Sequence, residues 1–242
     1  GKLTALLVAL ASALAVVVGA PQASAANRDW LRPDSTGMCE WDRVAYWVQR
    51  CTVWSPAMNR HITMQIQPAK NGGNAGLYML DGLRATEITN AWVNDVNAAQ
   101  MFKDNNITLV MPVGGQSSFY TDWNAPATYD FNHPVTYKWD TFLTKVLPPY
   151  LQQHFGVSPT NNSILGLSMG GTAAINLAAL HPNQFRQAMS YSGFLTTTVP
   201  GAQTMMRFAM LDAGGFNINA MYGSLFNPKR FQNDPLLLIP QL

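Results

Sequence analysis

The chain has 242 residues, 48% of them hydrophobic and 12% charged, with a formal net charge of +2. That length allows one large domain with a sizeable core, and the scattered basic residues exclude the clustered basic surface of a nucleic-acid-binding protein. Only two of the thirteen acidic residues are glutamates, Glu40 and Glu87.

The first residue is Gly1, and residues 4–20 read TALLVALASALAVVVGA, an apolar run rich in small residues. Ala23-Ser24-Ala25 then supplies a small-x-small cleavage site. The pattern is that of a secretory signal peptide over residues 1–25, with export to the cell envelope or medium. The run is at the short limit for a membrane span and no basic stop signal follows it. No other segment is long and apolar enough to span a membrane after signal removal. Cys39 and Cys51 are the two cysteines. In an oxidising compartment they are expected to pair, closing a short loop worth about 3 kcal/mol in the chain-entropy picture. No Cys/His cluster accompanies them, so no metal site is expected.

Residues 26–58, rich in Trp and Arg, read as an irregular segment pinned by that disulfide, ahead of one α/β domain over 59–242. Residues 61–67 (HITMQIQ) alternate as a half-buried strand does. Residues 77–80 and 107–111 are short apolar runs expected as buried strands, with a helix between them over 87–102. Residues 116–136 read as a long polar and aromatic loop. Residues 137–155 read as a helix that Pro148-Pro149 must kink. Strands are expected at 163–167 and 187–191, with a helix at 172–180 between them. Apolar strands alternating with helices predict a mostly parallel sheet covered on both faces.

Gly166-Leu-Ser-Met-Gly170 matches G-x-S-x-G between an apolar strand and an Ala-rich helix, the context of a nucleophile elbow. Small flanking residues let the strand turn directly into the helix with Ser168 at the tip. The Met169 N–H then points at a developing oxyanion, with the helix N-terminus adding a favourable field. The loop after the strand at 77–80, Asp81-Gly-Leu-Arg-Ala85, is placed to give the second donor from the Leu83 N–H. Asp81 and Arg84 beside it could hold a hydroxylated substrate. Asp81 reads equally as a turn or helix cap and Arg84 as a solvated charge.

The partners of Ser168 are harder to find. In this fold an acid and then a histidine follow the serine. Downstream acids are Asp212 and Asp234, and the one downstream histidine is His181. Thirteen residues of helix would put His181 about 20 Å away, beyond the reach of a general base. Nothing in the pattern marks His61, His133 or His154 as that base. The chain also ends on an apolar run where a further strand is expected. The expectation is a fragment, cut at both ends, with C-terminal strands, triad acid and histidine outside it.

The segments LYMLDGLRA (77–85), ITLVMPVGGQSSFYTDW (107–123), YKWDTFLT (137–144), ILGLSMGG (164–171), LDAGGFNINAMYG (211–223) and NDPLLLIP (233–240) together resemble the antigen 85 mycolyltransferases. MCEWDRVAYWVQRC (38–51) is similar to the corynebacterial-type branch. The resemblance implies an α/β-hydrolase fold and acyl transfer outside the cytoplasmic membrane, with no metal or organic cofactor. A mycoloyl group would move from trehalose monomycolate to a serine, then to a trehalose conjugate or cell-wall arabinogalactan. Ser168 matches the nucleophile, Leu83 and Met169 the oxyanion donors, and Asp81 and Arg84 trehalose-contacting positions. Thr196 stands where some relatives place a sugar-contacting aspartate. Two other readings remain: a secreted carboxylesterase using the same serine, and a non-catalytic envelope protein binding carbohydrate through the aromatic loop 117–131.

Overall fold

The computed structural model describes residues 28–127, 134–224 and 226–241. The segment read as a signal peptide and His133 lie outside the described residues. One seven-stranded sheet organises the rest, in the order β1-β2-β3-β5-β4-β6-β7. Its strands are β1 (Cys39–Trp41), β2 (Gln49–Ser55), β3 (Arg60–Gln67), β4 (Gly76–Leu80), β5 (Thr108–Pro112), β6 (Asn162–Leu167) and β7 (Phe185–Tyr191). Strands β5, β4, β6 and β7 run parallel, while β1, β2 and β3 are antiparallel to their neighbours. The antiparallel half arises largely from the segment 26–58, expected to be irregular. Its Gln49–Ser55 stretch alternates buried residues with more accessible ones, and that period of two builds a strand. Cys39 and Cys51 face each other across β1 and β2 and are disulfide-bonded.

The helices are α1 (Ala91–Asn94), α2 (Ala98–Met101), α3 (Trp139–Thr141), α4 (Leu147–Phe155), α5 (Met169–Leu180), α6 (Pro200–Asp212), α7 (Ile218–Tyr222), α8 (Pro228–Gln232) and α9 (Pro235–Leu238). The single helix expected over 87–102 is two short ones. Asn90 caps the first through its side chain to the Trp92 N–H, and Asn97 breaks the run at φ 63°. Asparagine tolerates that left-handed geometry better than most residues, which favours a break here. Helices α3 and α4 are joined through a π-turn over Phe142–Val146, which delivers the chain to Pro148 at the start of α4. In that register Pro148 has no N–H for the Leu143 carbonyl, which instead accepts from Gln184 Nε2 at 2.9 Å.

The sheet's two faces carry two cores. Tyr78 and Leu80 of β4 point into the larger, with Leu147, Leu151 and Phe155 of α4 and Ala173 and Leu177 of α5. Leu77 and Met79 point to the opposite face, against Val93 of α1 and Ala98 of α2. No described helix is long and apolar enough to cross a membrane.

Candidate active site

Strands β4 and β6 are direct neighbours in parallel register, with Leu80 opposite Gly166. Their carboxyl ends therefore release two loops side by side: Asp81-Gly82-Leu83-Arg84 from β4 and the Ser168 turn from β6. A Cβ built on Gly82 would lie 3.9 Å from the Ser168 Cβ, an ordinary van der Waals contact, so the two loops run side by side. Ser168 sits at φ 54° and ψ −115°, a conformation rare for any residue with a side chain. Such strain costs on the order of 1–3 kcal/mol and persists only where its surroundings impose it. Here the Ser168 N–H donates to the Tyr191 carbonyl of β7 at 2.8 Å, and its own carbonyl accepts from Gly171 and Thr172 in the first turn of α5. Gly171 can have no Cβ, which would meet the Ser190 Oγ at 2.6 Å.

Among the described residues, the N–H groups of Leu83 and Met169 have no protein acceptor. Ser168 and the 81–84 loop line one cleft of about 800 Å³, together with Thr86, Ile88 and Thr89. Two uncommitted backbone donors beside a partly exposed serine hydroxyl are the arrangement that stabilises a tetrahedral oxyanion.

The 81–84 loop is held from behind by a segment read from sequence only as loop. The Ser117 N–H donates to the Leu83 carbonyl at 2.9 Å, and the Asp81 N–H donates to the Tyr120 hydroxyl at 2.9 Å. Phe119, Tyr120 and Trp123 are buried, so these rings of the 117–131 loop pack in the core and offer no stacking surface to sugar. That corrects the carbohydrate-binding reading of the loop for its described part; residues 128–131 lie outside it. No local pattern in GGQSSFY announces a partner in another loop, and sequence reasoning missed Tyr120 and Ser117 for that reason.

Asp81 is buried, and its carboxylate accepts from the Gly82 N–H at 2.6 Å and the Ala91 N–H at 3.0 Å. Burial raises its pKa, with the Ala91 and Gly82 bonds opposing the shift. Both oxygens thus brace the loop and the start of α1. Arg84 is exposed at the cleft and pairs with Asp212 at the end of α6.

Both downstream acids already have partners. Asp212 faces Arg84. Asp234 is buried, and its Oδ2 accepts from the Thr196 hydroxyl, the Thr197 N–H, and the N–H and hydroxyl of Thr198. Its Oδ1 caps α9 through the Leu236 N–H. Burial alone would raise its pKa, but the bonds from Thr198, Thr197 and Thr196 outweigh that and hold it below the usual carboxylate range. Thr196 is spent on the same carboxylate.

The described histidines are placed elsewhere. His181 ends α5 and lies 2.7 Å from Asp140, an ion-pair distance though off line for a directed hydrogen bond. His154 packs on Tyr150 and His61 on Trp54. His61 is on β3, which β5 and β4 separate from β6, so three strand spacings, about 14 Å, lie between it and the serine's strand. No metal-binding group of side chains occurs among the described residues.

Known proteins are similar to this chain in sequence and in fold. Diacylglycerol acyltransferase/mycolyltransferase Ag85B of Mycolicibacterium smegmatis is 46% identical over 197 residues, 81% of this chain and 60% of that protein. Ag85C of Mycobacterium leprae is 43% identical over 195 residues, 81% of this chain and 57% of that one. The chain thus spans less than two thirds of these relatives. The crystal structure of Mycobacterium tuberculosis MPT51 (FbpC1) superposes with a TM-score of 0.72 at 31% identity, covering 81% of this chain and 69% of that one. The serine hydrolase FphF of Staphylococcus aureus, at 20% identity and a TM-score of 0.63, shares the fold. Residues 55–242 match the family model described as putative esterase, and the chain belongs to that α/β-hydrolase family, in which it is similar to the antigen 85 mycolyltransferases.

Proposed function

We propose that this chain carries the nucleophile and oxyanion hole of a secreted serine acyltransferase. It would move mycoloyl groups from trehalose monomycolate to trehalose conjugates or cell-wall arabinogalactan. The observation that carries the reading is the elbow at Ser168, strained to φ 54° and flanked by the Leu83 and Met169 N–H groups.

Ser168 Oγ attacks the ester carbonyl and gives up its proton to a general base. The carbonyl oxygen becomes an oxyanion held by the two N–H groups, a contribution of about 3 kcal/mol for one such donor. Collapse breaks the ester bond, the sugar oxygen leaves with the proton, and the acyl group stays on Ser168. A sugar hydroxyl then repeats the attack in reverse and carries the acyl group away. Asp81 and Arg84 stand at the cleft where the sugar would lie. The reading requires that the base come from outside the described residues, since no described histidine sits at the serine.

The test is intact-mass analysis of the full-length protein with a trehalose monomycolate analogue, followed by product analysis with and without trehalose. An acyl adduct lost in Ser168→Ala and passed to trehalose supports the transferase. Release to water alone, unchanged by trehalose, makes the protein a carboxylesterase. Absence of any adduct, with sugar binding retained, favours a non-catalytic envelope protein.

A further inference from the structure

Helices α6, α7 and α8 bring two arginines to one neutral oxygen. Arg207, exposed on α6, and Arg230, buried on α8, both donate to Asn219 Oδ1 of α7, at 3.4 Å and 3.0 Å. Arg230 also donates to the Ser224 carbonyl at 2.8 Å, the Gly223 carbonyl at 2.6 Å and Gln203 Oε1 at 3.0 Å. All of these acceptors are uncharged. Neither guanidinium forms an ion pair with a carboxylate among the described residues.

Arg230 has a structural account. It closes the carbonyls that follow α7, where the helix end carries partial negative charge. Arg207 has no such account. Its one bond is long, and it stands beside a like charge that is shielded from water. Guanidinium groups keep their charge at any working pH, so the pair is repulsive. Burial and the Arg207 charge both press the Arg230 pKa down. An oxyanion relieves that repulsion, since the fork of N–H donors matches phosphate or carboxylate oxygens two at a time. Arg207 spends one N–H on Asn219 and keeps four for a ligand. The surroundings select among oxyanions. Phe208, next to Arg207, is 66% exposed, and Leu211, one turn on, is also exposed. A cationic pair beside exposed apolar side chains suits phosphate, including phosphate carried on a hydrocarbon body.

We propose that Arg207, with Arg230 behind it, binds a phosphate oxyanion, free or as the headgroup of a phospholipid. Arg207, Asn219 and Arg230 do not line the Ser168 cleft. The proposal therefore stands apart from the transferase reading, and either can fail without the other.

The test uses the full-length protein and two variants, Arg207→Gln and Asn219→Asp. Melting temperatures are compared in inorganic phosphate and in chloride at equal ionic strength. Sedimentation with phosphatidylcholine vesicles, with and without phosphatidic acid, is the second arm. Phosphate also stabilises folded proteins by exclusion from their surface, so the signal is the part of the shift that Arg207→Gln removes. That variant changes an exposed side chain and is expected to weaken binding at least tenfold. Asn219→Asp puts a carboxylate where both guanidiniums already point. It is expected to raise the melting temperature in chloride and to remove the specific phosphate response. A specific shift in phosphate without vesicle binding assigns the site to a free ion. Binding to the phosphatidic acid vesicles alone assigns it to a headgroup. Wild type and both variants responding alike to phosphate and to vesicles would overturn the proposal, and so would a lower melting temperature for a folded Asn219→Asp protein in chloride.

Discussion

Gly170 packs so closely on Leu80 that a Cβ added to it would stand 2.6 Å from the Leu80 carbonyl oxygen. The first turn of α5 is thus pressed against the end of β4, and that contact brings the Ser168 turn to the 81–84 loop. Gly170→Ala must push the two apart. It is expected to cost about 2 kcal/mol of stability, in the range of overpacked interiors, and to slow acylation of Ser168 by a small ester at least tenfold. Urea unfolding and the rate of labelling by a fluorophosphonate measure the two effects. Labelling at the wild-type rate would show that the contact does not set the site.

Tyr120 and Asp81 together hold the oxyanion loop. Tyr120→Phe leaves the buried Asp81 N–H without an acceptor, a loss of about 1–3 kcal/mol. Because the Asp81 carboxylate is bonded to Gly82 and Ala91, Asp81→Ala is expected to slow ester acylation even with no sugar present. If Asp81→Ala instead spares acylation and raises only the KM for trehalose, Asp81 is a sugar contact rather than a brace.

These two side chains mark what the sequence could and could not disclose. The Ser168 elbow is a local event: strand, glycines, serine and helix lie within a dozen residues, and the pattern is legible wherever they occur together. The buried strands at 77–80 and 107–111 were legible for the same reason. Tyr120 acts on Asp81 across thirty-nine residues, and only the neighbouring positions of β4 and β5 in the sheet bring them together. Strand β2 was hidden by its composition. Its Arg50, Thr52 and Trp54 point outward while Gln49, Cys51 and Val53 point in, and three outward residues of such different chemistry obscure the period of two.

Arg84 and Asp212 form an exposed pair at the cleft, with side-chain exposures of 67% and 71%. Solvent screening leaves such a pair within about 1 kcal/mol of no effect. Asp212→Asn is therefore expected to leave the unfolding midpoint nearly unchanged, while Arg84→Ala raises the KM for the sugar acceptor. A double-mutant cycle on stability should be additive. A large coupling energy would mean that the pair is structural.

Asp234 and Asp81 respond to acid in opposite senses. The folded protein holds the Asp234 pKa below its unfolded value, so the unfolded state binds its proton first as the pH falls. Its stabilisation is complete above about pH 4, the ordinary carboxylate value, and is lost as pH drops through the lower folded pKa. Asp234→Asn should cost about 2 kcal/mol at neutral pH, in line with bonds to a charged acceptor, with the gap closing in acid. Asp81 has a raised pKa, so its contribution falls as pH rises from the unfolded value through the folded one. Urea unfolding of wild type and Asp234→Asn across the acid range tests the first sign. A gap that widens in acid would refute it.

The Cys39–Cys51 disulfide staples a sheet edge remote from Ser168. Cys39 and Cys51 close a loop of sequence separation 12 on the sheet's β1 edge, for which loop-closure entropy gives about 3 kcal/mol. Strands β3, β5 and β4 lie between that hairpin and the strand carrying Ser168. Replacing both cysteines by serine should therefore lower the melting temperature and free the Trp41 edge while Ser168 keeps its reactivity. Below the new melting temperature, fluorophosphonate labelling is expected at the wild-type rate. Loss of labelling below that temperature would mean that the hairpin and the elbow unfold as one unit.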